Sequence, residues 1–190
     1  MSSSQRRKPM SWAELTAFAL LGLAVVLLVR SSRSGGSAGI VPAGTPFPAL
    51  MAEGWLNVDG PPYDGTLSLK NLKGRVVVVD CWATWCPPCR RAMPELADLY
   101  AKYRPMGVEF LGLTSQATGD LPVIEQFIGS VDGFDWPVGY GTMPMQDMLG
   151  IRVLPTVVVF GPEGTAVWSS SRLSGIEAAL DQQLAKAARE

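Results

Sequence analysis

Hydrophobic and polar positions divide the chain into three stretches. From Leu15 to Val29 no residue is charged. Counted from Trp12, about 18 residues at 1.5 Å each would reach roughly 27 Å as a helix, enough for a hydrocarbon core. From Ser31 to Gly44 the chain is rich in Ser, Gly and Ala without periodicity, which reads as a flexible tether. Beyond it, apolar β-branched runs alternate with helical stripes. Val76 to Val79, continuing through Cys81 and Trp82, has the composition of a strand buried on both faces. Pro87 and Pro88 suit the first turn of a helix whose stripe carries Leu96 and Leu99 as far as Tyr103, with a kink expected at Pro94.

A second strand is predicted from Val108 to Leu113, and a helix capped by Asp120 runs through Ile128. A third strand, Thr156 to Phe160, turns at Gly161-Pro162-Glu163-Gly164 into an antiparallel return over Ala166 to Trp168. The last helix is predicted to open on a capping box, Ser174 with Glu177, and to bury Ile176, Leu180 and Leu184. This alternation defines an α/β class with a mixed central sheet flanked by helices.

Charge refines the N-terminal reading. Arg6, Arg7 and Lys8 precede the apolar run, and Arg30 and Arg33 follow it before any small-residue cleavage site. The pattern is that of an uncleaved signal-anchor with its N-terminus in the cytoplasm, set against a cleaved signal peptide, a twin-arginine signal and a buried soluble helix. The expected layout is a cytoplasmic segment 1–11, a transmembrane helix 12–29, a linker 30–45 and an extracytoplasmic domain 46–190. Without the five basic residues named above and Glu14, 11 basic and 16 acidic side chains remain of the chain's 16 and 17, a net charge near −5. No electrostatic footprint for nucleic acid is present.

The chain has three cysteines and no histidine, and all three cysteines fall between residues 81 and 89. Cys86 and Cys89 are three apart at a strand–helix junction, a spacing that puts their Cα atoms roughly 5–5.5 Å apart, within disulfide range. Cys86, at the N-cap, is expected to be the exposed attacking thiolate, and Cys89 the more buried resolving thiol. Pro87 and Pro88 remove two amides that could have donated to the Cys86 sulfur, so the pair should be reducing. Zinc would need a fourth ligand, and no metal or other cofactor is expected. A structural disulfide in so short a loop would stabilise little.

Trp82-Ala83-Thr84-Trp85-Cys86-Pro87-Pro88-Cys89-Arg90 resembles the active site of thioredoxin-like proteins, and in particular the TlpA/ResA-like membrane-anchored thiol–disulfide oxidoreductases. Lys73-Gly74 and Leu154-Pro155-Thr156 match the same pattern, and the resemblance extends from about Pro46 to Leu184. It implies a thioredoxin-like fold and a cis Leu154–Pro155 peptide packed against the disulfide. It also implies that the backbone before Pro155 pairs with substrate, with Trp85, Pro87, Pro88, Leu154 and Thr156 forming the binding surface. The implied partners are a disulfide-bearing protein and a membrane electron donor, with cytochrome c maturation a plausible pathway. A peroxiredoxin would carry threonine three residues before its cysteine, whereas Thr84 is two before Cys86.

Asp80 interrupts the buried strand, and desolvation should raise its pKa into a range useful for proton transfer. It is similar to the buried acid of thioredoxin, whereas many TlpA-like proteins have asparagine there. Cys81, on the opposite face, reads as a small hydrophobe. Met143, Met145 and Met148 offer soft thioether ligands for Cu(I) if they converge, or apolar filling if they do not.

Overall fold

The computed structural model describes residues 40–59, 63, 65 and 67–189. Segments 1–11 and 12–29 lie outside the described residues. Among the described residues no helix is long and apolar enough to cross a membrane.

Six strands form one mixed sheet: β1 (Gly54–Leu56), β2 (Val77–Trp82), β3 (Glu109–Thr114), β4 (Val138–Tyr140), β5 (Thr156–Phe160) and β6 (Ala166–Ser170). Their spatial order is β1-β4-β3-β2-β5-β6. β2 runs parallel to β3 and antiparallel to β5, in register Asp80 with Gly112 and Cys81 with Thr156. Every residue of β2 is buried, Asp80 included, as the apolar residues on either side of it require.

Alternation along β2 divides the core. Val78 and Trp82 face a cluster with Cys89, Met93 and Leu96 of α2 (Pro87–Tyr103), Ile124 and Phe127 of α3 (Leu121–Gly129), and Ile176 and Leu180 of α5 (Ile176–Ala187). Val77, Val79 and Cys81 face a second cluster with Leu72 of α1 (Leu69–Leu72) and Met145 of α4 (Met143–Met148). Cys81 is fully buried there and unbonded to another sulfur, so it fills space. Burial and the neighbouring Asp80 carboxylate push its thiol pKa up.

Two local expectations are revised. α5 begins at Ile176 with Gly175 at its N-cap in the left-handed region (φ 90°), so Ser174 and Glu177 make no capping box. Leu173 is buried, the chain turns at Gly175, and Glu177 binds Lys102 Nζ at 2.9 Å instead. Asp120 occupies the N-cap of α3, but its side chain points backward and accepts from Ala117 N at 3.3 Å. Pro94 sits inside α2, which runs unbroken to Tyr103. The short elements β1, α1, β4 and α4 carry too few residues to show a period in sequence.

Candidate active site

β2 and β5 bring the chemistry to one end of the sheet, along the edge formed by the C-terminal end of β2 and the N-terminal end of β5. β2 ends at Trp82, and Ala83 to Trp85 then lead into Cys86, the N-cap of α2, through a turn closed by Cys86 N donating to Ala83 O at 3.1 Å. β5 starts at Thr156 beside Cys81, so Leu154-Pro155 reaches the same edge from the other direction. The Leu154–Pro155 peptide is cis. Leu154 packs against both core clusters, Thr156 is buried, and Thr156 Oγ1 donates to Val153 O at 2.8 Å.

Cys86 and Cys89 are joined in a disulfide with Cα atoms 5.3 Å apart. Pro87 and Pro88 occupy the opening of α2 and have no N–H, so the amide that reaches the Cys86 sulfur is that of Cys89, at 3.2 Å. The Arg90 amide donates to Cys86 O instead. Cys86 is not the open thiol that its N-cap position suggested: it is 3% exposed, and the large exposed side chain here is Trp85 at 66%.

Two side chains that sequence reasoning missed hold the loop. Gln116 Oε1 accepts the Thr84 N–H at 2.7 Å, and Arg90 Nη1 donates to Thr84 O at 3.3 Å, so the two peptide units flanking Thr84 are each held by a side chain. Gln116 is anchored in turn by Gly141 N donating to its carbonyl at 2.7 Å, and the Arg90 guanidinium lies 5.0 Å over the Phe127 ring. No period or motif marks a glutamine in a loop as a partner for an amide 32 residues earlier. Gln116→Met keeps the length and removes the acceptor, stranding a buried N–H. It should cost about 1–3 kcal/mol in urea unfolding of the oxidised protein and speed hydrogen exchange at Thr84. A stability within about 0.5 kcal/mol of wild type would mean that the bond does not hold the loop.

Asp80 is 3% exposed on the α2 face, and burial raises its pKa from 3.8 to about 7. Its Oδ2 has no hydrogen-bond partner among the described residues. The three methionines do not share one environment: Met145 is fully buried, while Met143 and Met148 are 52% and 48% exposed. Their copper site is set aside, and Met145 is core. Among the described residues no group of three His, Cys, Asp or Glu side chains is placed to hold a metal.

Residues 74–166 match the family described as thioredoxin-like. This stretch is a thioredoxin-like domain. The chain is 37% identical over 100 residues to thiol-disulfide oxidoreductase ResA of Oceanobacillus iheyensis, covering 52% of this chain and 50% of that protein. It is 44% identical over 102 residues to ResA of Bacillus cereus, covering 53% and 57%. The chain therefore spans about half the length of the curated relatives it matches. A thiol:disulfide interchange protein of the thioredoxin family from Chlorobium tepidum superposes with a TM-score of 0.58 at 23% identity, covering 75% of this chain and 97% of that one, a likeness of fold.

Proposed function

We propose that the protein is a thiol–disulfide oxidoreductase that reduces protein disulfides. One observation carries this reading: the Cys86–Cys89 disulfide caps α2, and a single backbone amide donates to the Cys86 sulfur. In the reduced state the Cys86 thiolate attacks one sulfur of a substrate disulfide. A Cys86–substrate bond forms, the substrate S–S bond breaks, and the released substrate sulfur takes up a proton. Cys89 gives its proton to ionised Asp80 and attacks Cys86, restoring the disulfide and releasing the second substrate thiolate. Two electrons pass from the protein dithiol to the substrate. Trp85, Pro87, Pro88 and Leu154 form the docking surface, with Thr156 buried and so outside it, and the peptide before cis-Pro155 pairs with the substrate backbone.

The thioredoxin-like domain takes up residues 46–190 in this reading, tethered through 30–45 to a membrane span at 12–29 with residues 1–11 in the cytoplasm. A membrane electron donor on the extracytoplasmic side re-reduces the pair, and maturation of c-type cytochromes is the pathway the resemblance suggests.

Direction follows from the helix cap. Amide donors stabilise the thiolate and make a pair oxidising, and two prolines remove two of them here. Equilibration with dithiothreitol and glutathione buffers should give a potential closer to about −270 mV than to about −120 mV. A value above about −180 mV would mean an oxidase, and a pair that stays oxidised throughout would mean a structural bridge.

A further inference from the structure

Three buried polar atoms on the α2 face of the sheet lack a hydrogen-bond partner among the described residues: Asp80 Oδ2, Trp82 Nε1 and Trp136 Nε1. The two indole nitrogens stand over Gly112, and Asp80 sits beside that glycine on the neighbouring strand. Asp80 is paired in register with Gly112 on the adjacent parallel strand, about 4.8 Å away. A Cβ on residue 112 would stand 3.0 Å from Trp82 Nε1, 3.3 Å from Trp136 Nε1 and 3.1 Å from Val138 Cγ2. The two indole nitrogens are thus no further apart than the sum of those first two distances, a span that one water oxygen bridges. The fourth orphan of this kind, Gln183 Oε1, lies against Gly161 and belongs to another part of the molecule.

The chemistry of the three atoms is complementary only through an intermediary. An indole N–H is a donor and a carboxylate oxygen an acceptor, and neither indole donates to Asp80 directly. A water has two lone pairs for the two N–H groups and a hydrogen for the carboxylate, and three polar partners are what a buried water ordinarily finds. We propose that a buried water is held over Gly112 by Trp82 Nε1, Trp136 Nε1 and Asp80 Oδ2. A side chain at position 112 would press on both nitrogens and disturb the geometry that holds the water. The two indoles then polarise a water that donates to the carboxylate, which favours its ionised form. The water thereby sets the pH at which Asp80 gives up or takes a proton.

Few other ionisable groups bear on Asp80. β3 and β5 place Gly112 and Val157 beside it, and α3 contributes Ile124 and Phe127 to this cluster. α2 brings the Cys86–Cys89 pair, with Arg90 turned to Thr84 and Phe127 and Tyr103 bonded to Asp181. Cys81 adjoins it on the opposite face.

The catalytic reading of Asp80 enters only in the consequence for proton transfer, so the test uses the oxidised full chain and no turnover. In wild type, water cross-relaxation should reach both indole Hε1 protons, and carboxyl-carbon NMR follows the titration of Asp80. Trp136→Phe keeps a ring and removes one donor, and Gly112→Ala fills the spot. Each should raise the proton affinity of Asp80 by about threefold to tenfold, and Gly112→Ala should also remove the water signals. Absence of water signals at the indoles in wild type would overturn the proposal. So would titration midpoints in both variants that coincide with wild type. An inactive enzyme that still gave the expected shifts would count against the reductase reading and leave the water site standing.

Discussion

Cys86→Ser should abolish dithiothreitol-driven insulin reduction, with a loss on the order of 1000-fold or more, because a serine hydroxyl at this helix cap is neither ionised nor a match for sulfur in disulfide exchange. Cys89→Ser should also fail to turn over, but with a different signature. The first attack needs only Cys86, so the mixed disulfide forms and then persists without a resolving thiol. On non-reducing gels Cys89→Ser should carry a covalently bound partner that dithiothreitol releases, and Cys86→Ser should carry none. The asymmetry follows from the structure: Cys86 is the N-cap and retains residual exposure beside Trp85, whereas Cys89 is one turn inside α2 at 1% exposure. Wild-type activity in Cys86→Ser would end the enzymatic reading. A trapped partner on Cys86→Ser rather than Cys89→Ser would reverse the two roles.

Asp80→Asn should stabilise the oxidised protein at pH 8–9 by about 2–4 kcal/mol, and near pH 4 should bring no gain, leaving it between unchanged and about 2 kcal/mol less stable. The folded carboxyl holds its proton up to about pH 7, against 3.8 for the free group. Between those values the native state binds more protons than the unfolded state, so stability falls as pH rises through that window, and the penalty is complete above about pH 7. About three pKa units at 1.4 kcal/mol each set the upper figure, and the asparagine NH2, which itself needs a partner in this core, sets the lower. The same substitution should slow resolution by Cys89 and flatten its dependence on pH around 7. Urea unfolding at pH 4, 6 and 9 measures the first effect and single-turnover exchange the second. A pH-independent stability difference would show that Asp80 is not buried with a raised pKa, whatever its part in exchange.

Several elements were legible in residue order because their signals are local. The unbroken β-branched run before Asp80 specified a strand covered on both faces, and β2 is that strand. The spacing of Cys86 and Cys89 across one helical turn placed the two sulfurs within bonding distance. Thr156 to Phe160 and the Gly161–Gly164 turn marked the hairpin, because proline and glycine encode turn conformations in their own backbones. Local signals also misled where a competing contact was stronger. Ser174 and Glu177 have capping-box spacing, yet burial of Leu173 and the turn at Gly175 moved the helix start past them.

Sequence alone therefore determined which two sulfurs pair, that an acid lies buried six residues before Cys86, and the mixed α/β class that carries both. The tertiary structure alone decided how far Cys86 is enclosed and which side chain holds Thr84. It also decided that Met145 is buried while Met143 and Met148 are half exposed, and that two indole nitrogens stand over Gly112 beside Asp80. Each of these depends on segments tens of residues apart arriving side by side. Such pairings are selected by the packing of the whole core, and no periodicity or spacing within one segment records them.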